Sequence, residues 1–573
     1  MLGWIIAGEW KPAAEKEGEL IMAKDIALFN ILTNNLLAVA REMSADMLRS
    51  AYSTVIREAA DASTFLADAK GRVLAQSQNI PLHMNSVSSA LTGALRKVDT
   101  SSLTEDDVII LNDPYNGGQH QSDVYMFSPV ICDGKLVAFS GSAGHHADLG
   151  HSAGFNLYAR DIFEERFRFT PMKFSLSRDW NGGILEQILR ANLRLPKDTI
   201  GDFNAQLVAN ETGRKRIHGF VDRYGYDEFM EISEQLLDYA EKAMRTAIEQ
   251  IPDGDYYGEC MADDDGIHDD PIIIKVKVTV KGNEMLVDYT GTSGQVVTAI
   301  NCPIASTVSA TYSALKMILT DPMVPINDGA YRPIQVTAPK GCILNPKEYA
   351  PVEGRNIIIM RVFQSILKAF EDALPERVPA QGYDQRTEIN LQWQGDTFVA
   401  ISDELGGGYG AGMNNDGADL IDDPLGNCKN SPVESLEIAQ KFFRILRYDL
   451  RPDSGGAGKM RGGLGAVREY EFLKDQVDMT FYSDRFKYPA RGTKGGQDGA
   501  AAYLKIKRSD GTMENMRAKG HAVLNAGDKV EMALGGGAGY GNPLERDRSK
   551  VSQDIACNKV TKEKAMEIYG YKE

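Results

Sequence analysis

Apolar residues recur at alternating three- and four-residue steps through Phe29, Leu32, Leu36, Val39, Met43 and Met47. That spacing predicts a helix burying one stripe, with Asp25 as its N-cap. "REAADASTFLADAKGRVLAQ" (57 to 76) reads as a strand, an Ala-Lys-Gly turn and a second strand, and a further helix falls near 86 to 98. The clearest strand pattern is "VIILNDPYNGGQHQSDVYMFSPVICDGKLVAFSGSAGHHADLG", where Asp133-Gly134 between two apolar runs predicts the two-residue turn of a tight hairpin. Residues 182 to 250 are mostly helical in pattern, and "PIIIKVKVTVKGNEMLVDYTGT" alternates with period two around a Gly-Asn turn, so a new sheet is expected from near 271. Helices follow at 303 to 320 and 356 to 374, and the last third is strands joined by glycine-rich loops.

The expected fold is α+β: several mixed sheets with helices, in more than one domain, with glycine-rich loops in the C-terminal half. At 573 residues the chain exceeds one compact core, since domains run to roughly 100–200 residues. The polar stretch "PDGDYYGECMADDDGIHDD" is read as the boundary. The expected parts are a tail (1–24), an α/β domain carrying the site (25–260), a mixed α/β and β-rich domain (261–550) and a C-terminal tail (551–573). The N-terminal 24 residues lack the basic start and long apolar run of an export signal, and Met22 offers a second start.

A net charge of −17 argues against a nucleic-acid or anionic membrane surface, and no stretch has the apolar length to span a bilayer. Six cysteines (Cys132, Cys260, Cys302, Cys342, Cys428, Cys557) are scattered singly, which fits a reducing cytoplasm. The glycine loops do not bind a nucleotide in any recognised way. "GGAGKM" has Met460 where a phosphate loop needs Ser or Thr, and Asp453 where it needs its first glycine.

Of eight histidines, His120, His145, His146 and His151 fall in one short window. With Asp133-Gly134 as the turn, a regular ladder sets Asp123 opposite Gly144, Ser122 opposite His145 and His120 opposite Ala147. His120 and His145 are then diagonal neighbours, about 7 Å apart at Cβ, and can converge on one ion. Alternation points His145 and His146 to opposite faces. Strict parity also turns Asp123 away, so its membership requires the backbone to leave the ladder in "GGQHQSD"; Asp148 is the fallback carboxylate. Two imidazoles and one or two carboxylates suit zinc, manganese or iron(II) with a position left for water, and such an ion acidifies its water and polarises a carbonyl or phosphoryl oxygen. Two other readings stay open: a polar loop without chemistry, and a serine nucleophile at Ser152 in "GHSAG". The segment after Ser152 does not open with a helical apolar period, as such an elbow requires.

The chain resembles the hydantoinase B / 5-oxoprolinase family, which includes related subunits of acetone and acetophenone carboxylases. The resemblance runs from about 25 to 546. It rests on "IREAADASTFLAD", "GRVLAQSQNIPLHMNS", "LNDPYNGGQHQSDVYMFSPVICDGKLVAF" with "GHHAD", "DPMVPINDGAYRPIQVTAPKGCILNP", "NSPVESLE", "LRPDSGGAGKMRGGLGAVREY" and "GGGAGYGNPLERD", in that order. It implies a two-part ATP-dependent enzyme. A separate A-type subunit of actin- and sugar-kinase-like fold binds ATP and magnesium and phosphorylates a carbonyl or amide oxygen, and the B-type chain carries a divalent metal, zinc or manganese. By motif the metal ligands would be Asp61, His120, Asp123 and His145, with His146 and Asp148 as catalytic residues beside them. "REAADAS" replaces the "ERRDFS" of many members just before Asp61. The implied activity is hydrolysis of a cyclic amide, a caprolactam-like ring before a hydantoin or oxoproline, in a cytoplasmic hetero-oligomer such as a heterotetramer. The alternatives are a subunit of an ATP-dependent ketone carboxylase and a scaffold whose metal is structural.

Overall fold

A computed structural model describes residues 26–572 apart from 78, 151–155, 322, 323, 397, 422, 428 and 429. The expected N-cap Asp25, the N-terminal tail, His151, Ser152 and Cys428 therefore lie outside the described residues. The first helix runs Ile26–Ser50 and buries Leu32, Leu36, Val39, Met43 and Met47, the stripe its spacing predicts. It covers one face of a six-stranded antiparallel sheet together with the long helix Pro196–Tyr224. That sheet is built from β1 (Ala62–Asp68), β2 (Val73–Gln76), β3 (Asp107–Leu111), β4 (Asp123–Cys132), β5 (Lys135–His145) and β6 (Met172–Ser175), in the order β2-β1-β5-β4-β3-β6. The opposite face packs on the helix Ser86–Leu95, where Phe65, Phe127 and Phe139 meet Val87 and Leu91. With both faces covered, β1 and β2 are buried at every position.

The turn of the β4–β5 hairpin forms as expected, with Asp133 at φ +48° and Gly134 at +72°, the left-handed pair of a type I′ turn. The register beyond it differs from the regular count. Cys132 faces Lys135 and Ile131 faces Leu136, but Val130 faces Ala138, so β5 carries one extra residue, Val137. This bulge shifts every later pair by one and sets Asp123 opposite His145 and Val124 opposite Gly144.

A second sheet runs β10-β9-β8-β7, from β7 (Gly254–Ala262), β8 (Ile272–Lys281), β9 (Glu284–Asp288) and β10 (Ile334–Thr337). It shares a core with the helices Tyr226–Ile248, Ile304–Leu319 and Asn356–Phe370. Strand β7 lies inside the stretch read as a polar boundary: it is an edge strand whose outward residues stay in water, so its sequence looks like a linker. The remaining strands are β11 (Thr387–Gln394), β12 (Phe398–Leu405), β13 (Phe443–Leu450), β14 (Ala466–Phe472), β15 (Val477–Tyr482), β16 (Tyr503–Lys507), β17 (Met513–Met516), β18 (Lys519–Leu524) and β19 (Lys529–Ala533). They form two sheets, β12-β11-β15-β18 and β13-β14-β19-β16-β17, around one apolar core. The α+β class with helices and several sheets holds, and one of the four sheets is mixed, through the parallel pair β9–β10. The C-terminal segment read as a tail forms two short helices, Arg548–Ala556 and Lys562–Tyr569, whose Val551, Ala565 and Tyr569 pack on Ala457.

The glycine-rich loops pack against one another. Gly463 N–H donates to Tyr409 O (2.8 Å), Gly537 N–H to Gly463 O (2.9 Å) and Gly456 N–H to Gly537 O (2.8 Å). A Cβ on Gly537 would sit 1.9 Å from Tyr409 O, and one on Gly408 2.0 Å from Gly463 O. These glycines are required by backbone contact. Gly537→Ala is therefore expected to abolish soluble folded protein. Gly219→Ala, in the helix Pro196–Tyr224 with open space around its Cβ, should gain about 0.5–1 kcal/mol from helix propensity; thermal midpoints and soluble yield of the two variants check the contrast.

Candidate metal centre

Three neighbouring strands bring the site together at one end of the first sheet. His145 is the last residue of β5 and pairs with Asp123, the first of β4. On its other side its N–H donates to Asp61 O (3.1 Å), one residue before β1 starts. Directly opposed residues on adjacent strands share a face, so Asp61, His145 and Asp123 form one row. His120 joins from the loop before β4, where Asp123 N–H donates to His120 O (3.2 Å). That loop lies flush on the helix Ser86–Leu95: a Cβ on Gly117, at φ +102°, would meet Ser89 O at 2.2 Å.

The donor atoms are close. Asp123 Oδ1 lies 2.9 Å from His120 Nε2 and 3.1 Å from His145 Nδ1, and the ligand atoms of the three residues all lie within 4.8 Å of one another. Metal–ligand bonds of about 2.0–2.2 Å place neighbouring ligands about 3 Å apart, so these separations fit the edges of one coordination polyhedron. Asp61 Oδ2 stands 3.8 Å from His145 Nδ1, on the side that faces Asp123. Two imidazoles and two carboxylates suit zinc or manganese, and the residues present fit such an ion. His120 Nδ1 lies 3.3 Å from Glu353 O, the backing contact that orients a ligating imidazole.

The family model for hydantoinase B/oxoprolinase matches residues 25–543. The chain belongs to that family. It is 33% identical over 560 residues to the B-type chain of a putative D-/L-hydantoinase from Pseudomonas sp. (strain NS671), covering 94% of each chain. Its structure is similar to that of the ATP-dependent caprolactamase from Pseudomonas jessenii, with a TM-score of 0.87 at 28% identity, covering 95% of this chain and 96% of that one. Nucleotide-free acetone carboxylase shares the fold, with a TM-score of 0.86 at 18% identity over 96% of this chain and 80% of that one.

In this hydantoinase B/oxoprolinase chain the two residues expected to act beside the ligands have other partners. His146 points to the opposite face of β5, as alternation requires: its ring lies against Phe203 (centroids 4.3 Å apart) and its Nε2 is 2.8 Å from Gln206 Oε1. Asp148 uses its carboxylate on the backbone, accepting from Gly150, Arg194 and Leu195 N–H at 2.6–3.0 Å and fixing the start of the helix Pro196–Tyr224. In this geometry both side chains contact the elements that hold the hairpin and the helix.

The pattern of the chain gives no sign of the further residues that surround the cluster. His83 Nε2 is 3.8 Å from Asp123 Oδ2, and its Nδ1 is 2.9 Å from Ser63 Oγ. Arg355 Nη2 donates to Asp123 Oδ2 (3.0 Å), and Arg386 Nη1 lies 3.7 Å from Asp61 Oδ2. Each carboxylate of the row thus has an arginine from the second half of the chain. Glu353 accepts from Ser122 Oγ (2.5 Å) and from Arg166 Nε (3.2 Å), while Glu165 accepts the N–H groups of Val352 and Glu353 and pins that loop. Burial opposes ionisation of Asp123, but the His120 and Arg355 charges outweigh it and hold its carboxyl well below the usual range. Burial likewise opposes a charged His145, yet its hydrogen bond to Asp123 and the charge of Asp61 raise it to about 9. Burial and then Arg355 push His120 below the ordinary histidine value. Burial, and the charge of Glu404, push the Glu388 carboxyl up to about 7.

His120→Ala and Asp123→Ala should each weaken zinc or manganese binding by more than the about 10- to 100-fold typical of losing a group that only supports a ligand; His146→Ala should stay well inside that range, read by metal analysis and competitive chelator titration. A carboxyl raised in the folded state has its stability penalty absent below the unfolded value of 4.5 and complete above about 7. Glu388→Gln should therefore gain thermal stability over wild type between pH 5 and pH 8. An unchanged difference in thermal midpoint at the two pH values would contradict the assignment.

Proposed function

We propose that this chain is the metal-containing B-type subunit of an ATP-dependent enzyme that opens a cyclic amide, a caprolactam-like lactam first, with hydantoin and oxoproline rings in the same class. The observation that carries the reading is the His120–Asp123–His145 cluster in a family member that matches a caprolactamase over nearly its whole length. The partner in this reading is an ATP-binding A-type subunit of actin- or sugar-kinase-like fold, which holds ATP and magnesium and phosphorylates the amide oxygen. The two form a hetero-oligomer, such as a heterotetramer, in the cytoplasm.

Asp61, His120, Asp123 and His145 would hold a zinc or manganese ion, which when bound supplies a Lewis acid and an acidified water. The chain's own groups do the rest. Arg355 and Arg386 lie against Asp123 and Asp61 and orient them. His146 and Asp148 anchor β5 and the segment that follows it. Among the described residues no helix is long and apolar enough to cross a membrane.

The test is co-expression with the chain encoded beside it, followed by a screen of cyclic amides with and without ATP. The expected result is ring opening that requires ATP, both chains and the metal, and no ATP hydrolysis by this chain alone. Incorporation of labelled carbonate into product would instead make it a ketone carboxylase subunit. Full turnover with His120→Ala would make the metal structural and the chain a scaffold.

A further inference from the structure

Arg355 is 2% exposed and is the N-cap residue of the 15-residue helix Asn356–Phe370. A guanidinium carries five N–H donors. Nη2 donates to Gln119 Oε1 and to Asp123 Oδ2, each at 3.0 Å. Nε and Nη1 have no hydrogen-bond partner among the described residues although both are buried. Buried Arg361, Arg461 and Arg468 lack a hydrogen bond at Nε alone, and Arg361 and Arg461 have a carboxylate there at 3.8 and 3.5 Å, so Arg355 stands apart from these three in leaving two nitrogens without a hydrogen bond.

A purely structural arginine beside a buried carboxylate engages it with two parallel N–H groups, the geometry that repays burial of the charges. Arg468 makes the fuller contact in the C-terminal sandwich, where its Nη1 lies 2.8 Å from both oxygens of Asp403 and Nη2 donates to Ser431 O. Arg355 meets one oxygen of Asp123 where Arg468 spans both of Asp403, and it leaves Nε and Nη1 without a hydrogen bond among the described residues. A buried cationic donor without an acceptor is costly, and its position at the positive end of a helix further favours negative charge there.

We propose that Arg355 forms, beside the metal cluster, a subsite for a multi-oxygen anion, and that the anion is the phosphoryl group of an activated substrate. The choice of phosphoryl rests on the ring-opening reading above, whereas the anion site rests on the guanidinium alone. Arg355 then has two contacts: Nη2 orients Asp123, and Nε and Nη1 receive phosphoryl oxygens. Substrates that arrive without the phosphoryl group leave these donors unmatched, which makes Arg355 a selector for the activated form.

The full chain loaded with manganese and titrated with inorganic phosphate tests this without ATP, partner or lactam. Phosphorus NMR of the wild-type protein should show manganese-induced broadening of bound phosphate. With manganese held at saturation for each variant, Arg355→Met should weaken phosphate binding by about 10- to 100-fold, the range for hydrogen bonds to a charged group, in addition to the loss of manganese affinity that removing the contact to Asp123 brings; Arg355→Lys should recover part of the phosphate loss. Absence of broadening in wild type overturns the subsite with no variant needed, as does phosphate binding that Arg355→Met leaves unchanged. Phosphate binding by Arg355→Met that returns to the wild-type value once manganese is saturating would reduce Arg355 to a positioning residue for Asp123 and overturn the proposal. Labelled bicarbonate broadened at this site in place of phosphate would overturn the phosphoryl assignment. If Arg355-dependent phosphate binding holds while no cyclic amide is opened, the ring-opening reading falls and the anion site stands.

Discussion

The cross-strand pairing of Asp123 with His145 is the contact on which the centre depends. It exists because Val137 bulges out of β5 and shifts the ladder by one residue. Without that shift Ser122 would face His145, and His145 would turn with Ser122 and Val124 to the face where Leu149, Phe169 and Phe203 pack, away from Asp123. A one-residue slip exchanges the two faces of a strand, so a bulge near the far end of the hairpin from Asp123 selects which chemistry the sheet presents. Bulges recur next to functional sites because they re-aim a side chain without altering the rest of the sheet.

A second constraint is convergence from distant parts of the chain. The row of Asp61, His145 and Asp123 concentrates negative charge in a buried place, and the fold answers with Arg355 from the loop before a helix and Arg386 just ahead of β11. Arg386 comes from the C-terminal sandwich, whose close-packed glycine loops leave no room for a side chain, and Arg355 from the helix that packs on the second sheet. The fold thus sets carboxylates from one half of the chain against guanidinium groups from the other. A buried charge left without its partner is strongly destabilising.

Much of this architecture is legible in the order of the amino acids. The stripe from Leu32 to Met47, the Asp133-Gly134 turn, the helix beginning at Asn356 and the opposite facing of His145 and His146 all follow from local periodicity and turn chemistry. What periodicity does not carry is a single extra residue in a ladder, so a regular count sets Asp123 one place too far along. Asp61 is reached only through family resemblance, because its place in the row depends on β1 lying beside β5, a neighbour far away in sequence. His83, Arg355 and Arg386 give no signal, since each reaches the cluster from a separate segment and nothing in its own neighbourhood marks it. Strand β7 escapes the pattern for another reason: an edge strand with one wet face has the composition of a linker.

The central claim is that this pairing builds a metal centre from Asp61, His120, Asp123 and His145. Anomalous diffraction from crystals of the chain soaked in zinc or manganese tests it most directly. One strong peak is expected within about 2.0–2.2 Å of His120 Nε2, His145 Nδ1 and an Asp123 oxygen, with Asp61 completing the set. A peak at any other group of residues, or none at this one under conditions where the protein retains the ion in solution, would contradict it.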